Sequence, residues 1–363
     1  MQVEHLWLTD FRSYRSLDLT LPPGLTAVLG RNGQGKTNLL EAVAWLATMS
    51  SFRGAPTEAL VRRGAERAIV RAEIDDAGRR TRIEAELAIN GRNRVLINGS
   101  RPGRSRDLLG HLRVTVFTPD DLALVKGGPA ERRRLLDDAL IALHVRHDRM
   151  RSDYERVLRH RNALLKQVGG RLSPEAAATL DVWDAKLADA GERLGAARAE
   201  LVDALLPQLQ DAYITLAPHT AQVGARYESS WREQGLAAAL EAVRAEELRR
   251  GQTLVGPHRD DLVLEIDGLP ARTHRSQGEQ RSLALALRLA IHRHVEASTG
   301  STPVLLLDDV FSELDEHRSS ALLASLPAVQ TLLTSASGLP PGTKPELVVE
   351  VDAGTAHPRV WHG

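Results

Sequence analysis

The chain has 363 residues, is 42% hydrophobic and 26% charged, and carries no cysteine and a formal net charge of +0. That is long and apolar enough to fill the cores of two lobes, and the missing thiols exclude disulfides and fit a reducing compartment. Zero net charge excludes a surface that is basic all over, so a nucleic-acid site has to be a local patch.

The opening stretch from Met1 to Trp7 lacks the basic flank and apolar run of a secretory signal, and no stretch is long enough to cross a bilayer. A cytoplasmic protein with no membrane partner is expected. The run Leu25-Thr26-Ala27-Val28-Leu29 reads as a buried strand, and Lys36 to Thr48 reads as a helix. Between them stands Gly30-Arg31-Asn32-Gly33-Gln34-Gly35-Lys36-Thr37, whose order of glycines, lysine and hydroxyl is that of a phosphate cradle. The glycines let successive backbone N–H groups turn toward phosphate oxygens, and the helix aims its positive end at the same charge. Lys36 supplies a cation for the β and γ phosphates, and the Thr37 hydroxyl completes a Mg2+ shell that is otherwise phosphate and water. ATP with Mg2+ is the expected ligand.

From Arg53 to Arg113 there are 14 arginines against 8 acids, with Asn90-Gly91 and Asn98-Gly99 as turn signals between hairpin strands. A second set comprises Arg132, Arg133, Arg134, Arg146, Arg149, Arg151, Arg156, Arg159 and Arg161. Both are candidates for DNA contact, although arginine-rich helices commonly only solvate an outer face. Met150, Tyr154, Val157, Leu164 and Val168 keep a heptad spacing, and Leu180, Trp183, Leu187, Ala190, Leu194, Ala197 and Leu201 repeat it after the turn Gly169-Gly170-Arg171-Leu172-Ser173-Pro174. An antiparallel helical pair of about 30 Å follows from the rise of 1.5 Å per residue. Pro207 and Pro218 are expected to break the helices before a return near Gly251.

Further on, Ser276-Gln277-Gly278-Glu279-Gln280 precedes a helix rich in alanine and leucine, and Ser276 and Glu279 have the spacing of a capping box. Pro303 to Leu307 reads as a buried strand that delivers Asp308 and Asp309 to the rim of a parallel sheet, where ligands bind. Asp308 is placed to hold the metal through water, and Asp309 to orient or deprotonate the attacking water.

Ser276-Gln277-Gly278-Glu279-Gln280 also resembles the signature motif of ATP-binding-cassette ATPases, and Ser312-Glu313-Leu314-Asp315 resembles that family's loop between subunits. Asp10-Phe11-Arg12-Ser13-Tyr14, Phe117-Thr118-Pro119-Asp120-Asp121-Leu122, Lys126-Gly127-Gly128-Pro129 with Arg132 to Arg134, Gly256-Pro257-His258-Arg259-Asp260-Asp261-Leu262 and Leu307 to Asp315 resemble the RecF family of bacterial DNA repair, within the ABC/SMC-type ATPases. The resemblance runs end to end. It implies a weak, DNA-stimulated ATPase of recombinational repair and replication restart that supports recombinase loading and the SOS response. It implies the RecR and RecO mediator proteins as partners. It also implies an ATP-dependent head-to-tail homodimer, in which Ser276, Gln277 and Gly278 of one copy cap the nucleotide held by Lys36 of the other, and DNA lies across the closed pair.

The fold expected is α/β: a P-loop ABC-type ATPase lobe with a mixed sheet, plus an inserted, mainly helical lobe with a short antiparallel coiled coil. The boundaries are 1–125 for the N-terminal part of the ATPase lobe, 126–250 for the helical lobe and 251–363 for the C-terminal part. Three departures from the wider cassette pattern stand out. Asp309 replaces the usual glutamate, which implies slow turnover; Ser335-Ala336 stands where transporters keep a switch histidine; and Thr115 or Val116 stands where a magnesium-sensing glutamine is usual. The alternative reading is the ATPase subunit of a membrane transporter, which has the same motifs but lacks so large a helical insert.

Overall fold

The structure, a computed structural model, describes residues 1–169, 172–217 and 221–361. In chain order, β1 (Gln2–Phe11), β2 (Tyr14–Thr20) and β3 (Leu25–Leu29) precede α1 (Lys36–Thr48) and the short α2 (Thr57–Leu60). There follow β4 (Arg67–Asp76), β5 (Arg79–Ala88), β6 (Arg94–Ile97) and β7 (Val114–Phe117). The helices α3 (Ala123–Lys126), α4 (Pro129–Leu143), α5 (Arg146–Val168) and α6 (Pro174–Leu216) come next, then β8 (Val223–Glu228), α7 (Leu236–Arg250), β9 (Asp261–Ile266), β10 (Leu269–Pro270) and α8 (Ala271–His274). Last are α9 (Gln277–Thr299), β11 (Val304–Asp308), α10 (Glu316–Ser325), β12 (Thr331–Ser335), β13 (Leu347–Asp352) and β14 (Thr355–Val360).

These elements form two compact units. The first takes Met1–Leu122, Asp211–Thr220 and Arg281–Gly363. It holds an antiparallel sheet of order β2-β1-β4-β5-β6 and a mixed sheet of order β14-β13-β3-β12-β11-β7. In the mixed sheet only β14 runs antiparallel to its neighbour. β11 and β12 are buried at every position, as strands covered on both faces must be. β1 instead alternates, burying Val3, Leu6, Leu8 and Phe11 and leaving the other face partly wet. Leu39, Leu40, Val43 and Leu46 of α1 join one apolar cluster with Leu6 and Leu8 of the first sheet and Val28, Leu306 and Leu332 of the second. That two-sided packing fixes α1 and so fixes where its N-terminus points.

The second unit takes Ala123–Gln210 and Ala221–Gln280. α5 and α6 pack antiparallel, with Tyr154 beside Gly191 and Arg161 beside Asp184. At 23 residues, α5 is about 35 Å long. A Cβ at Gly195 would lie 2.7 Å from the Trp231 ring, so the small residue is what admits the buried indole.

Pro207 does not break the helix. α6 runs through it for 43 residues. Leu201, Leu205, Leu209, Ala212, Tyr213 and Leu216 form one buried stripe on both sides of the exposed proline. Burial along that stripe outweighs the roughly 3 kcal/mol that an interior proline costs. Gly170, Arg171 and Pro218 lie outside the described residues.

Candidate nucleotide-binding site

β3, β12 and β11 are parallel neighbours, and their register sets Val28 beside Thr334 and Thr334 beside Asp308. The turn leaving β3 and the carboxylate ending β11 therefore share one rim. In that turn a Cβ on Gly30 would lie 2.3 Å from the Val351 carbonyl, and one on Gly35, at φ +117, would lie 2.5 Å from Ser13 Oγ. Gly35 is the N-cap of α1 and no side chain caps that end. An uncapped helix start beneath a glycine turn is a seat for an anion. Arg31, Asn32 and Gly33 lie exposed along the turn, Gln34 is half-buried, and Lys36 is buried.

Thr37 Oγ1 donates to Asp308 Oδ1 at 2.7 Å, and Thr334 Oγ1 donates to the same oxygen at 2.8 Å. The Asp309 N–H in turn donates to Thr334 Oγ1 at 2.9 Å. Burial raises the Asp308 carboxyl above its usual range, against the two hydroxyl donors and the charge of Arg53. Lys36 Nζ donates to the carbonyls of Gly30 and Arg31 at 2.8 and 3.0 Å. Burial lowers its pKa, and the charges of Asp309 and Asp308 act the other way. Asp309 sits in the left-handed region at φ 49, and its Oδ1 is buried with no hydrogen-bond partner. A buried acceptor with nothing to accept costs about 1–3 kcal/mol, and a catalytic role is one of the reasons such a group is kept.

These residues fit a magnesium-bound triphosphate. Thr37 and Asp308 offer two adjacent oxygens. Phosphate and water have to supply the rest of the shell.

Several supporting residues were not derivable from spacing. Tyr14 donates to the Gly35 carbonyl at 3.1 Å. Arg12 makes a two-pronged contact with buried Glu41 at 2.7 and 2.8 Å and reaches the Ala59 carbonyl at 2.8 Å. The segment from Asp10 to Tyr14 thus anchors the flank of the phosphate turn. Thr334 is the link between the two aspartates. Ser335 instead donates to the Gly338 carbonyl at 2.5 Å, and Thr115 pairs with buried His292 at 3.0 Å.

Ser276, Gln277 and Gly278 belong to the second unit, at the start of α9, with Ser276 and Gln277 exposed. The capping box forms: the Ser276 N–H and hydroxyl donate to Glu279 at 2.8 and 2.6 Å, and the Glu279 N–H returns to Ser276 Oγ at 3.3 Å. Arg281, four residues after Gln277, holds the Glu313 carbonyl at 2.6 Å, tying α9 to the loop after the aspartates.

Two of the candidate DNA-contacting arginines are core residues. Arg161 is fully buried and held by Asp184 and Glu247, both at 2.6 Å, and by Thr253 at 2.9 Å. Arg132 grips Asp261 with two 2.7 Å bonds. Arg134, Arg149, Arg151, Arg156 and Arg159 make ion pairs within their own helices. In the earlier stretch Arg63, Arg79, Arg92 and Arg101 are exposed, whereas Arg62, Arg67, Arg71 and Arg80 are ion-paired. The Gly256 to Asp261 turn proves to be a junction. Tyr154 meets His258 Nδ1 at 2.6 Å, Arg198 donates to the Pro257 carbonyl at 2.8 Å, and Trp231 donates to Asp260 at 2.9 Å.

The family model of the RecF/RecN/SMC N-terminal domain matches residues 2–334. The DNA replication and repair protein RecF of Frankia alni is 47% identical over 355 residues, covering 93% of each chain. The chain belongs to the RecF family. RecF of Streptomyces avermitilis is also 47% identical, over 93% of this chain and 94% of its own. The solved structure of the recombination mediator protein RecF-ATP in the RecFOR pathway superposes with a TM-score of 0.90 at 29% identity, covering 99% and 97% of the two chains. The Smc head domain of Pyrococcus furiosus, at 18% identity and a TM-score of 0.56, shares the fold. RecF membership sets aside the transporter alternative and confirms the expected ABC/SMC-type lobe with a helical insertion. No helix among the described residues is long and apolar enough to cross a membrane.

Proposed function

We propose that this RecF-family ATPase binds ATP and Mg2+ in the Gly30–Thr37 turn and clamps DNA as an ATP-dependent head-to-tail homodimer. The observation that carries the reading is the chain of bonds from Thr37 through Asp308 and Thr334 to the Asp309 backbone, which leaves Asp309 Oδ1 without a partner. Bound ATP supplies the phosphoryl group and Mg2+ the charge that neutralises it. Lys36 and the N–H groups of Gly33 to Thr37 hold the phosphates, and Thr37 with Asp308 holds the metal. Asp309 accepts from the attacking water and aligns it on the γ-phosphate.

Ser276, Gln277 and Gly278 of a second copy cap the same nucleotide from outside. Their exposure at a helix start supports this role, and the capping box serves to present them rather than compete with it. ATP favours the closed pair by its differential affinity, and hydrolysis releases it. DNA is gripped through its backbone by a local arginine patch in the Arg53 to Arg113 stretch, with a steep salt dependence. RecR and RecO are the protein partners, in recombinational repair of gaps and stalled forks.

The test is phosphate release with and without gapped duplex DNA. The wild type should hydrolyse slowly and faster with DNA. Asp309→Asn should bind ATP and accumulate the dimer while release falls by about a hundredfold or more, as loss of a water-aligning group does. Wild-type turnover in Asp309→Asn removes Asp309 from the chemistry.

A further inference from the structure

The family model ends at residue 334, yet the chain beyond it reaches the phosphate turn. β13 lies parallel to β3, with Glu350 beside Leu29, so its end arrives next to Gly30. Asp352 pairs with Thr355 across a two-residue turn, Ala353-Gly354, with φ +48 and +77. Positive φ at both central positions is the geometry of a type I′ hairpin, and for alanine it costs about 1 kcal/mol. What holds the strained turn is its docking on Gln34. The Gly354 N–H donates to the Gln34 carbonyl at 3.0 Å, and the Ala353 N–H donates to Gln34 Oε1 at 2.6 Å.

A carbonyl held outward has a consequence on the inner side. In a planar trans peptide the C=O and the following N–H point in opposite directions. Gly354, by fixing the Gln34 carbonyl, therefore aims the Gly35 N–H the other way. Tyr14, on the Gly35 carbonyl at 3.1 Å, does the same for the Lys36 N–H. Two successive amides of the cradle are thus oriented from outside. Only glycine fits the contact point, since a Cβ on Gly354 would lie 2.2 Å from the Ser13 carbonyl oxygen.

We infer that the tip of the β13–β14 hairpin is a positioning element for the phosphate turn: Ala353 and Gly354 set ATP affinity through Gln34 without touching the nucleotide. The inference rests on the reading of Gly30 to Thr37 as the ATP cradle.

The experiment measures fluorescent ATP-analogue binding and steady-state hydrolysis in Gly354→Ala, Gln34→Met and the double variant. Gly268→Ala serves as control, because Gly268 sits in a comparable turn at φ +71 with nothing around it. Gly354→Ala should raise both Kd and KM about tenfold at an unchanged count of binding sites, whereas a merely destabilised fold would lower the site count and kcat at unchanged Kd. Gln34→Met removes only the side-chain bond from Ala353 and leaves the backbone carbonyl that Gly354 binds. Both changes undock the same turn, so the double variant should bind no more weakly than the weaker single one. A Gly354→Ala protein that binds like Gly268→Ala, or a double variant whose losses multiply, overturns the inference. The cradle reading fails separately, if Lys36→Ala binds the analogue as tightly as the wild type.

Discussion

Thr334 Oγ1 bridges the two aspartates of the site, donating to Asp308 Oδ1 at 2.8 Å and accepting from the Asp309 backbone at 2.9 Å. Thr334 is 1% exposed, so neither bond can be replaced by bulk water. Thr334→Val keeps the shape and removes both bonds. It should lose on the order of 2 kcal/mol of stability and about tenfold in kcat through misplacement of Asp309. Thr334→Ser should stay near the wild type. Denaturation midpoints and turnover in the three proteins check this.

Lys36 is buried at the head of α1 and its charge faces Asp308 and Asp309. Lys36→Ala should abolish measurable ATP binding at micromolar nucleotide while keeping the fold, because the bonds it loses, to the carbonyls of Gly30 and Arg31, lie within the phosphate turn itself. Calorimetric titration with ATP checks it; undiminished affinity would count against the cradle.

Two histidines, the buried His292 and the half-buried His258, make the fold sensitive to acid. Burial pushes His258 and His292 down from 6.5 to about 4. Between those values the unfolded chain binds more protons than the folded one, so each neutral histidine adds stability that is complete above pH 6.5 and lost as pH falls toward 4. From pH 7 to pH 5 each should cost about 2 kcal/mol. His292→Asn should therefore lose less stability over that interval than the wild type, read from urea midpoints at the two pH values.

Arg161 is the keystone of α5, α6 and α7, with both it and Glu247 fully buried. Arg161→Ala leaves the Glu247 carboxylate without its partner and should cost about 3–5 kcal/mol. Arg159→Ala, on the exposed side of the same helix, should change stability by no more than about 0.5 kcal/mol. Thermal unfolding distinguishes the two.

The phosphate turn was legible because each of its parts has a local signature. Leu25 to Leu29 and Lys36 to Thr48 form the predicted strand and helix with the predicted limits. Asp308 closes its strand and Asp309 follows in the turn. Other features depend on contacts that no local pattern encodes. Pro207 has the chemistry of a helix breaker, and only the buried stripe from Leu201 to Leu216 shows why the helix continues. Arg161 has the spacing of its exposed neighbours and becomes a core residue through Asp184 and Glu247, 23 and 86 residues away. Thr334 offers a hydroxyl like many others, and its role comes from the register that sets it between β3 and β11. The Ala353-Gly354 turn gains its meaning from Gln34, 319 residues earlier.

The most direct test of the clamp is molecular mass by light scattering with ATP, in the wild type and in Ser276→Arg, with binding measured in parallel. The wild type should double its mass with ATP and return to a monomer once nucleotide is removed, while Ser276→Arg should bind ATP and stay monomeric. A Ser276→Arg protein that doubles its mass as the wild type does, or a wild type that binds ATP and remains a monomer at every concentration, would contradict a nucleotide shared between two copies.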